Sequence, residues 1–562
     1  MFKLNGHSRK YPPILPGTKE WPVVQMAKDR KSFVREVKEA TIKSLERHTN
    51  GKGLIDVLEA AIYKERLRIK QNPWKVDPSD EASFFKDIQQ KLIDYPSSDD
   101  PKHRKIHEDI LDAIINRYSD EIAGNFNRSS YRFARGIATM LFARLLNAAR
   151  IKGPMSLFSR QLDLDDQIHM LGEPEHLRKL AKKGTVILVP THFSNLDSIL
   201  IGWVIQWLGL PPFIYGAGLN LFNIKIFAYF MNSLGAYKVD RRKKNLLYLE
   251  TLKSYSTLAL KRGCHSLFFP GGTRSRSGKL EERLKLGLLG TAVEAQRYNY
   301  QQSPAGEAQK IFVVPVVINY HFVLEAPTLI NDYLKAEGQE RYYIENDEYS
   351  TSFKIAKFLI EFFTRGSDIS VTIGRGMDIL GNYVDDDGVS IDHAGNEVDV
   401  KDYFISEGKV TEDGQREQQY TRMLANRIVE EYHKNNCVFA SHLTAFLAFE
   451  MIKKANEKLD LFELLRLPEE DIVIPYDRFK KNFKRLRKRI YKMNEKGKIK
   501  YAEHLSGKTD FVINFGIKNV GTYHTHKPLG KNKSGNIVTH DLNKLYYYHN
   551  RLEGYDLDKY IK

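Results

Sequence analysis

The sequence predicts an α/β fold: a mixed, largely parallel sheet flanked by helices, with helical N-terminal and C-terminal regions. From residue 184 short apolar runs ("GTVILVP", "PFIYG", "AYKV", "HSLFFP", "KIFVVPVVI") alternate with helical patterns. Each run is bounded by Gly, Pro or polar residues, as suits strands covered on both faces by crossover helices. Residues 30 to 150 show instead the 3.6-residue period of amphipathic helices, in "KSFVREVKEATIKSLERH" and "HRKIHEDILDAIINRYSDEI", broken by the turn-rich "YPSSDDP". Helical periodicity returns beyond residue 415. The expected division is a helical region over 1–160, an α/β domain over 161–400 and a helical, basic region over 401–562.

The 562-residue chain is long enough for a large core with additions around it. Lys and Arg outnumber Asp and Glu by 87 to 70, and the net charge of +17 favours anionic partners: a lipid surface, small phosphates or nucleic acid. Two cysteines exclude a disulfide framework. The start "MFKLNGHSRKYPPILPGTKEWP" lacks an apolar core of the signal-peptide kind. The apolar window 198–219 is broken by Gln206, Pro211 and Pro212, while "ARGIATMLFARLLNAA" is short and contains Arg144. These features predict a cytoplasmic protein whose membrane contact is peripheral. Asp385, Asp386, Asp387 and Gly388 lack the alternate spacing of a calcium loop and read as a solvated turn.

Four stretches carry candidate chemistry. In "VPTHFSNLDS", His192 follows a strand and Asp197 falls in the first turn of the next helix, at a strand's carboxyl end where open α/β sheets place ligands. A bend of the loop would bring the carboxylate onto one imidazole nitrogen and leave the other as a base. No Gly-x-Ser-x-Gly elbow competes for the nucleophile's role, so the proton would come from a substrate hydroxyl. In "FFPGGTRSRSGKL", Gly271 and Gly272 allow close backbone approach, Thr273 and Ser275 offer hydroxyls, and Arg274 and Arg276 offer forked donors for phosphate. Walker A spacing is not met. "LGAYKVDRRKKN" ends a strand in a charge run over 240–244 that reads, taken alone, as solvated. In "VVPVVINY", Pro315 implies an edge strand or a kink.

In this order and spacing the four stretches resemble the blocks of the glycerolipid acyltransferases. His192 to Asp197 matches His-x-x-x-x-Asp, Gly235 to Arg242 the second block, Phe269 to Ser275 a third block reading Phe-x-Glu-Gly-x-Arg-Ser, and Val314 to Val316 the fourth. The length, "RSRSGK", "NNCVFASHLTAFLAFE" and "LYYYHNRLEGY" are similar to the large glycerol-3-phosphate acyltransferases. The resemblance implies His192 as general base and Asp197 as its orienting partner. It implies Arg241 and Arg274 as phosphate ligands and the Pro315 strand as part of the acyl or acceptor pocket. It also implies acyl transfer from acyl-CoA or acyl carrier protein to glycerol 3-phosphate, with no metal and no further cofactor. One departure stands out: Gly271 occupies the place of the family's Glu, so another side chain or a water must replace that carboxylate, or the space admits a bulkier lysophospholipid acceptor. A non-catalytic basic protein binding membrane or nucleic acid is the alternative of another class, with nucleic acid the less expected partner.

"RFKKNFKRLRKRIYKM" places Phe479, Phe483, Leu486, Ile490 and Met493 on one stripe among Lys and Arg. Such a helix can lie on an anionic membrane with its apolar side down, on the cytoplasmic face, or pack that stripe on the protein body.

Overall fold

A computed structural model of the protein describes residues 11–48, 53–96, 100–131, 133, 168–219, 235–303, 307–338, 368–522, 524 and 526–562. The apolar stretch at 134–149 lies outside the described residues.

The strands are β1 (Ile168–Gly172), β2 (Gly184–Pro190), β3 (Ile214–Gly218), β4 (Ala236–Val239), β5 (Ser266–Leu267), β6 (Lys310–Tyr320) and β7 (Ile369–Ile373). They form one seven-stranded sheet in the order β1-β7-β6-β2-β5-β3-β4. β6, β2, β5, β3 and β4 run parallel, and β7 and β1 run the other way along one edge. The parallel strands are nearly continuous apolar runs because both faces are covered: Val186, Ile187, Leu188 and Val189 are all buried.

Pro315 is not on an edge. It sits in β6, an interior strand, opposite Val189 of β2. On its other side Val316 pairs with Ile373 while Val313 bridges Met377, so one extra residue is accommodated over 374–376. A proline in a central strand is tolerated where the neighbouring ladder bulges, because its missing N–H then interrupts no bond. The kink expected from Pro315 is a bulge in its neighbour.

The N-terminal helices, α1 (Pro22–Lys28), α2 (Arg30–His48), α3 (Leu54–Gln71), α4 (Glu81–Asp94) and α5 (Pro101–Ile122), build a core of their own. Phe33, Leu58, Phe85, Ile114 and Tyr118 meet there with Ile214 of β3, Tyr237 of β4 and Tyr248 of the following helix. α6 (Pro174–Lys183), α7 (Leu196–Trp207), α8 (Leu246–Lys261), α9 (Leu286–Gln302) and α10 (Ala326–Gly338) accompany the sheet. The C-terminal helices α11 (Gly414–Asn435), α12 (Ala440–Ala455), α13 (Leu461–Leu464), α14 (Tyr476–Glu495), α15 (Thr509–Asn519) and α16 (Leu542–His549) share the sheet's own core, which runs from Ile168 to Ile561. Among the described residues no helix is long and apolar enough to cross a membrane. The acidic turn at 385–388 is held by its own Asp385 carboxylate, which accepts from the amides of Asp387 and Val389, while Asp386 pairs with His176 at 2.8 Å.

The basic helix α14 corrects one expectation. Phe479, Phe483, Leu486 and Ile490 are fully buried against α12 and α15, with Met493 nearly so. Burial of such a stripe in water already captures the hydrophobic gain that a membrane would offer, so these side chains are core. The surface left to solvent is cationic: Lys481, Lys484, Lys488 and Lys492 are exposed along one side of the helix.

Candidate functional site

β2 ends at Pro190, and Thr191 turns the chain out of the sheet while its hydroxyl accepts the amide of Ile318 at 3.1 Å. The loop then coils around one carboxylate. Asp197 Oδ2 accepts from the amides of Phe193 (2.6 Å) and Ser194 (2.9 Å) and from His192 Nδ1 (2.9 Å). Its Oδ1 accepts from the hydroxyl of Tyr320, at the end of β6, at 2.6 Å. Asp197 is inaccessible to solvent. A carboxylate on Nδ1 fixes the imidazole tautomer with its proton there, so Nε2 presents a lone pair. No described residue hydrogen-bonds to Nε2, and the side chain keeps 12% of its surface exposed. The arrangement is a positioned base without a nucleophile of its own.

The stretch after β5 folds over this histidine. Phe269 stacks on the His192 ring with centroids 4.1 Å apart, and the amide of Ser275 donates to the His192 carbonyl at 2.8 Å. Gly272 has φ of 80°, the left-handed turn that glycine permits. Arg274 pairs with Glu325 at 3.3 Å, and the same carboxylate accepts from the Asn195 amide (2.9 Å) and the Ser194 hydroxyl (3.1 Å). Gly271, Gly272, Arg274 and Ser275 thus belong to the loop that meets His192. Thr273 is exposed on that loop, and the Ser275 hydroxyl donates to the Lys279 carbonyl at 2.8 Å.

The second block lies apart. Arg241 is exposed in the turn after β4, three strands from β2 and roughly 14 Å away by sheet spacing. Arg242 and Lys243 of the charge run are not solvated, whereas Lys244 is exposed. Arg242 bonds to both Asp240 and Asp77 and stacks on Trp74 at 3.8 Å, while Lys243 reaches Glu121 (2.5 Å) and Glu81 (3.2 Å). Acids of the N-terminal helices and the loop before α4 neutralise a run that looks free when read alone.

Two residues given no role by the sequence close the site: Glu281, and Arg551 from the distal stretch "LYYYHNRLEGY". Glu281 Oε1 accepts the backbone amide of His192 at 2.9 Å, whereas its Oε2 is buried without a hydrogen-bond partner. Burial raises its carboxyl to about 7, against the His192 amide and the positive charge of Arg551, which favour the ionised form. Arg551, from the segment after α16, lies over the ring of Phe193 with its guanidinium carbon 3.4 Å from the centroid. Its Nη2 donates to the Ile318 carbonyl at 3.4 Å and its Nη1 is buried without a partner. Burial lowers it to about 10. The segment is anchored nearby by Asn550, which donates to the Ser277 carbonyl (2.8 Å), and by Lys279 with Glu553 (2.9 Å). Glu281 has no local pattern to betray it, whereas Arg551 lies in a stretch whose resemblance to the large acyltransferases is the available signal.

A separate group, His321, Asp368 and His504, gathers ligand-type atoms within 4.8 Å, which sequence spacing does not suggest. His504 Nε2 accepts the amide of Ala440 at 2.9 Å, so the neutral ring carries its proton on Nδ1 and has no second lone pair for a cation. Burial keeps both rings neutral, pulling His504 down to about 4 and His321 well below the usual imidazole range.

Residues 173–319, from the turn before α6 to the end of β6, match the family described as Acyltransferase. The chain is 28% identical over 266 residues to the glycerol-3-phosphate acyltransferase of Histophilus somni (strain 129Pt). It is 27% identical over 265 residues to that of Actinobacillus pleuropneumoniae serotype 5b (strain L20), and 26% over 266 residues to that of Haemophilus influenzae (strain PittEE). Each match covers 47% of this chain and 29% of the relative.

Proposed function

We propose that this chain, whose residues 173–319 match the Acyltransferase family, is a glycerolipid acyltransferase that moves a fatty acyl group from a thioester to the sn-1 hydroxyl of glycerol 3-phosphate. The carrying observation is the His192–Asp197 pair with Nε2 open beside the Arg274 loop. Nε2 takes the proton of the acceptor hydroxyl as its oxygen attacks the carbonyl carbon of acyl-CoA or acyl carrier protein. The tetrahedral intermediate then expels the thiolate, which leaves with the proton from the imidazolium. Asp197 holds the ring and stabilises its charged form, and Tyr320 holds Asp197. No step calls for a metal or a cofactor beyond the acyl donor. Arg274 supplies a fork for the phosphate, shared with Glu325.

A lysophosphatidate or other lysolipid acceptor is the second reading, prompted by the room that Gly271 leaves. The Glu281 side chain lies in that room, 3.0 Å from where a Cβ at 271 would stand, which favours the smaller acceptor. Phospholipid synthesis also calls for a product released into lipid. The exposed Lys481, Lys484, Lys488 and Lys492 would hold the protein peripherally on the anionic cytoplasmic face of a membrane by charge alone. One assay tests the reaction: labelled acyl-CoA or acyl carrier protein offered with a panel of acceptors. Thioester cleavage that depends on glycerol 3-phosphate is the expected result. No transfer to any acceptor would leave a non-catalytic binder, and transfer only to lysophosphatidate would assign the second reading. Sedimentation with anionic vesicles, lost at high salt and in a Lys484→Glu, Lys488→Glu variant, is expected for the membrane contact.

A further inference from the structure

The loop that folds over His192 has glycine at 271, yet its backbone does not ask for one. Gly271 is absent from the glycines with positive φ, unlike its neighbour Gly272 at 80°. What excludes a side chain at 271 is another side chain. A Cβ there would stand 3.0 Å from Glu281 Cγ, 3.3 Å from Oε1 and 3.6 Å from Cδ. Glycine at 271 and glutamate at 281 are therefore one arrangement, in which a carboxylate from ten residues downstream fills the volume beside the loop.

That carboxylate is bound on one side only. Oε1 takes the amide of His192, the first N–H of the catalytic loop, and so helps set where the imidazole stands. Oε2 is shielded from water, with no hydrogen-bond partner. Buried polar atoms in folded proteins are nearly always paired, and an unpaired carboxylate oxygen next to a base is placed for a donor that arrives with the substrate. Arg551, whose Nη1 is itself without a partner, stabilises the ionised carboxylate electrostatically yet makes no hydrogen bond to it. A polyol acceptor brings the missing donor, since glycerol 3-phosphate has a second hydroxyl besides the one acylated.

We propose that Glu281 is the acceptor-binding carboxylate of this enzyme: Oε1 fixes the His192 loop and Oε2 accepts a hydrogen bond from a hydroxyl of a small phosphorylated polyol, with Gly271 keeping its place clear. The proposal rests on the acyltransferase reading and names the residue through which the site selects its acceptor. Glu281→Gln keeps a carbonyl oxygen for the His192 amide and removes the charge that strengthens the bond to the hydroxyl. It is expected to raise the KM for glycerol 3-phosphate about tenfold, leaving the KM for the acyl donor nearly unchanged. Gly271→Glu alone crowds Glu281 and is expected to lose both stability and acceptor affinity. The exchange Gly271→Glu with Glu281→Gly returns one carboxylate to the same volume and is expected to recover the melting temperature and most of the acceptor KM.

An unchanged acceptor KM in Glu281→Gln overturns the proposal. So does an exchange variant that regains stability without any acceptor affinity, because Glu281 then only packs. A wild type inactive with every acceptor would fail the acyltransferase reading instead. Calorimetric titration of wild type and Glu281→Gln with glycerol 3-phosphate then decides the proposal, weaker binding by the variant supporting it and equal or absent binding overturning it.

Discussion

Two charged clusters follow strands of the same sheet at the same end, and they are built oppositely. Around the turn after β4, the buried charges are ion-paired: Arg242 lies between Asp77 and Asp240, Lys243 between Glu81 and Glu121, and Arg68 of α3 between Glu65 and Glu81, while Arg241 and Lys244 are exposed. After β2, His192 Nε2, Glu281 Oε2 and Arg551 Nη1 have no hydrogen-bond partner among the described residues. The matched cluster joins the N-terminal helices to the sheet, and its buried acids and bases neutralise one another. The unmatched one bears polar atoms in the fold of a loop, an arrangement that becomes favourable when a substrate completes it. Charge density alone does not mark a site; the residue of unmet bonds does.

Substitutions sharpen this contrast. The largest expected effect is on the unmatched side: His192→Ala should lower kcat by about 10²- to 10⁴-fold with a melting temperature near that of the wild type, measured by acyl transfer and calorimetry. On the matched side the same truncation should do the reverse. Arg242→Ala strands the buried acids Asp77 and Asp240 and should cost about 3–5 kcal/mol in denaturant unfolding, with turnover per folded molecule little changed. A smaller test removes one link: Tyr320→Phe deletes the bond to Asp197 Oδ1 and should lower kcat about tenfold with the acceptor KM unchanged. An equal loss of stability and activity in either cluster would erase the distinction.

The smallest effect is one of pH. With its folded carboxyl at about 7 against an ordinary 4.5, Glu281 binds its proton more tightly in the folded protein. The stability this contributes is complete below 4.5 and is lost as pH rises through 7, since between those values unfolding releases a proton, which rising pH favours. Glu281→Gln removes that slope. The difference in melting temperature, variant minus wild type, should therefore grow from pH 5 to pH 8; a constant difference would place the carboxylate in water.

What the sequence revealed followed distance along the chain. The sheet was legible because buried strands are short apolar runs, and the His192–Asp197 contact because five positions separate the partners. Glu281 and Tyr320 meet the same loop from 89 and 123 residues away, and no local period encodes that. The stripe of α14 was legible as amphipathic, but periodicity does not say whether protein or lipid covers it; Phe483 and Leu486 proved to be covered by protein. The run at 240–244 looked solvated because its neutralising acids, Asp77, Glu81 and Glu121, arrive from more than a hundred residues earlier. Pro315 signalled an interruption, which the neighbouring ladder takes up rather than the strand itself.

The place of Arg551 over Phe193 sets an order in time. A ribosome finishes the catalytic loop long before it makes the segment after α16, and at 5–20 residues per second the interval is roughly 20 to 70 seconds. Throughout that interval the nascent chain holds its base and its carboxylate without the arginine that borders both. The site is thus begun in the middle of the chain and closed by a segment made about 350 residues later, and a polypeptide released early would keep the His192–Asp197 pair in a site with one wall missing.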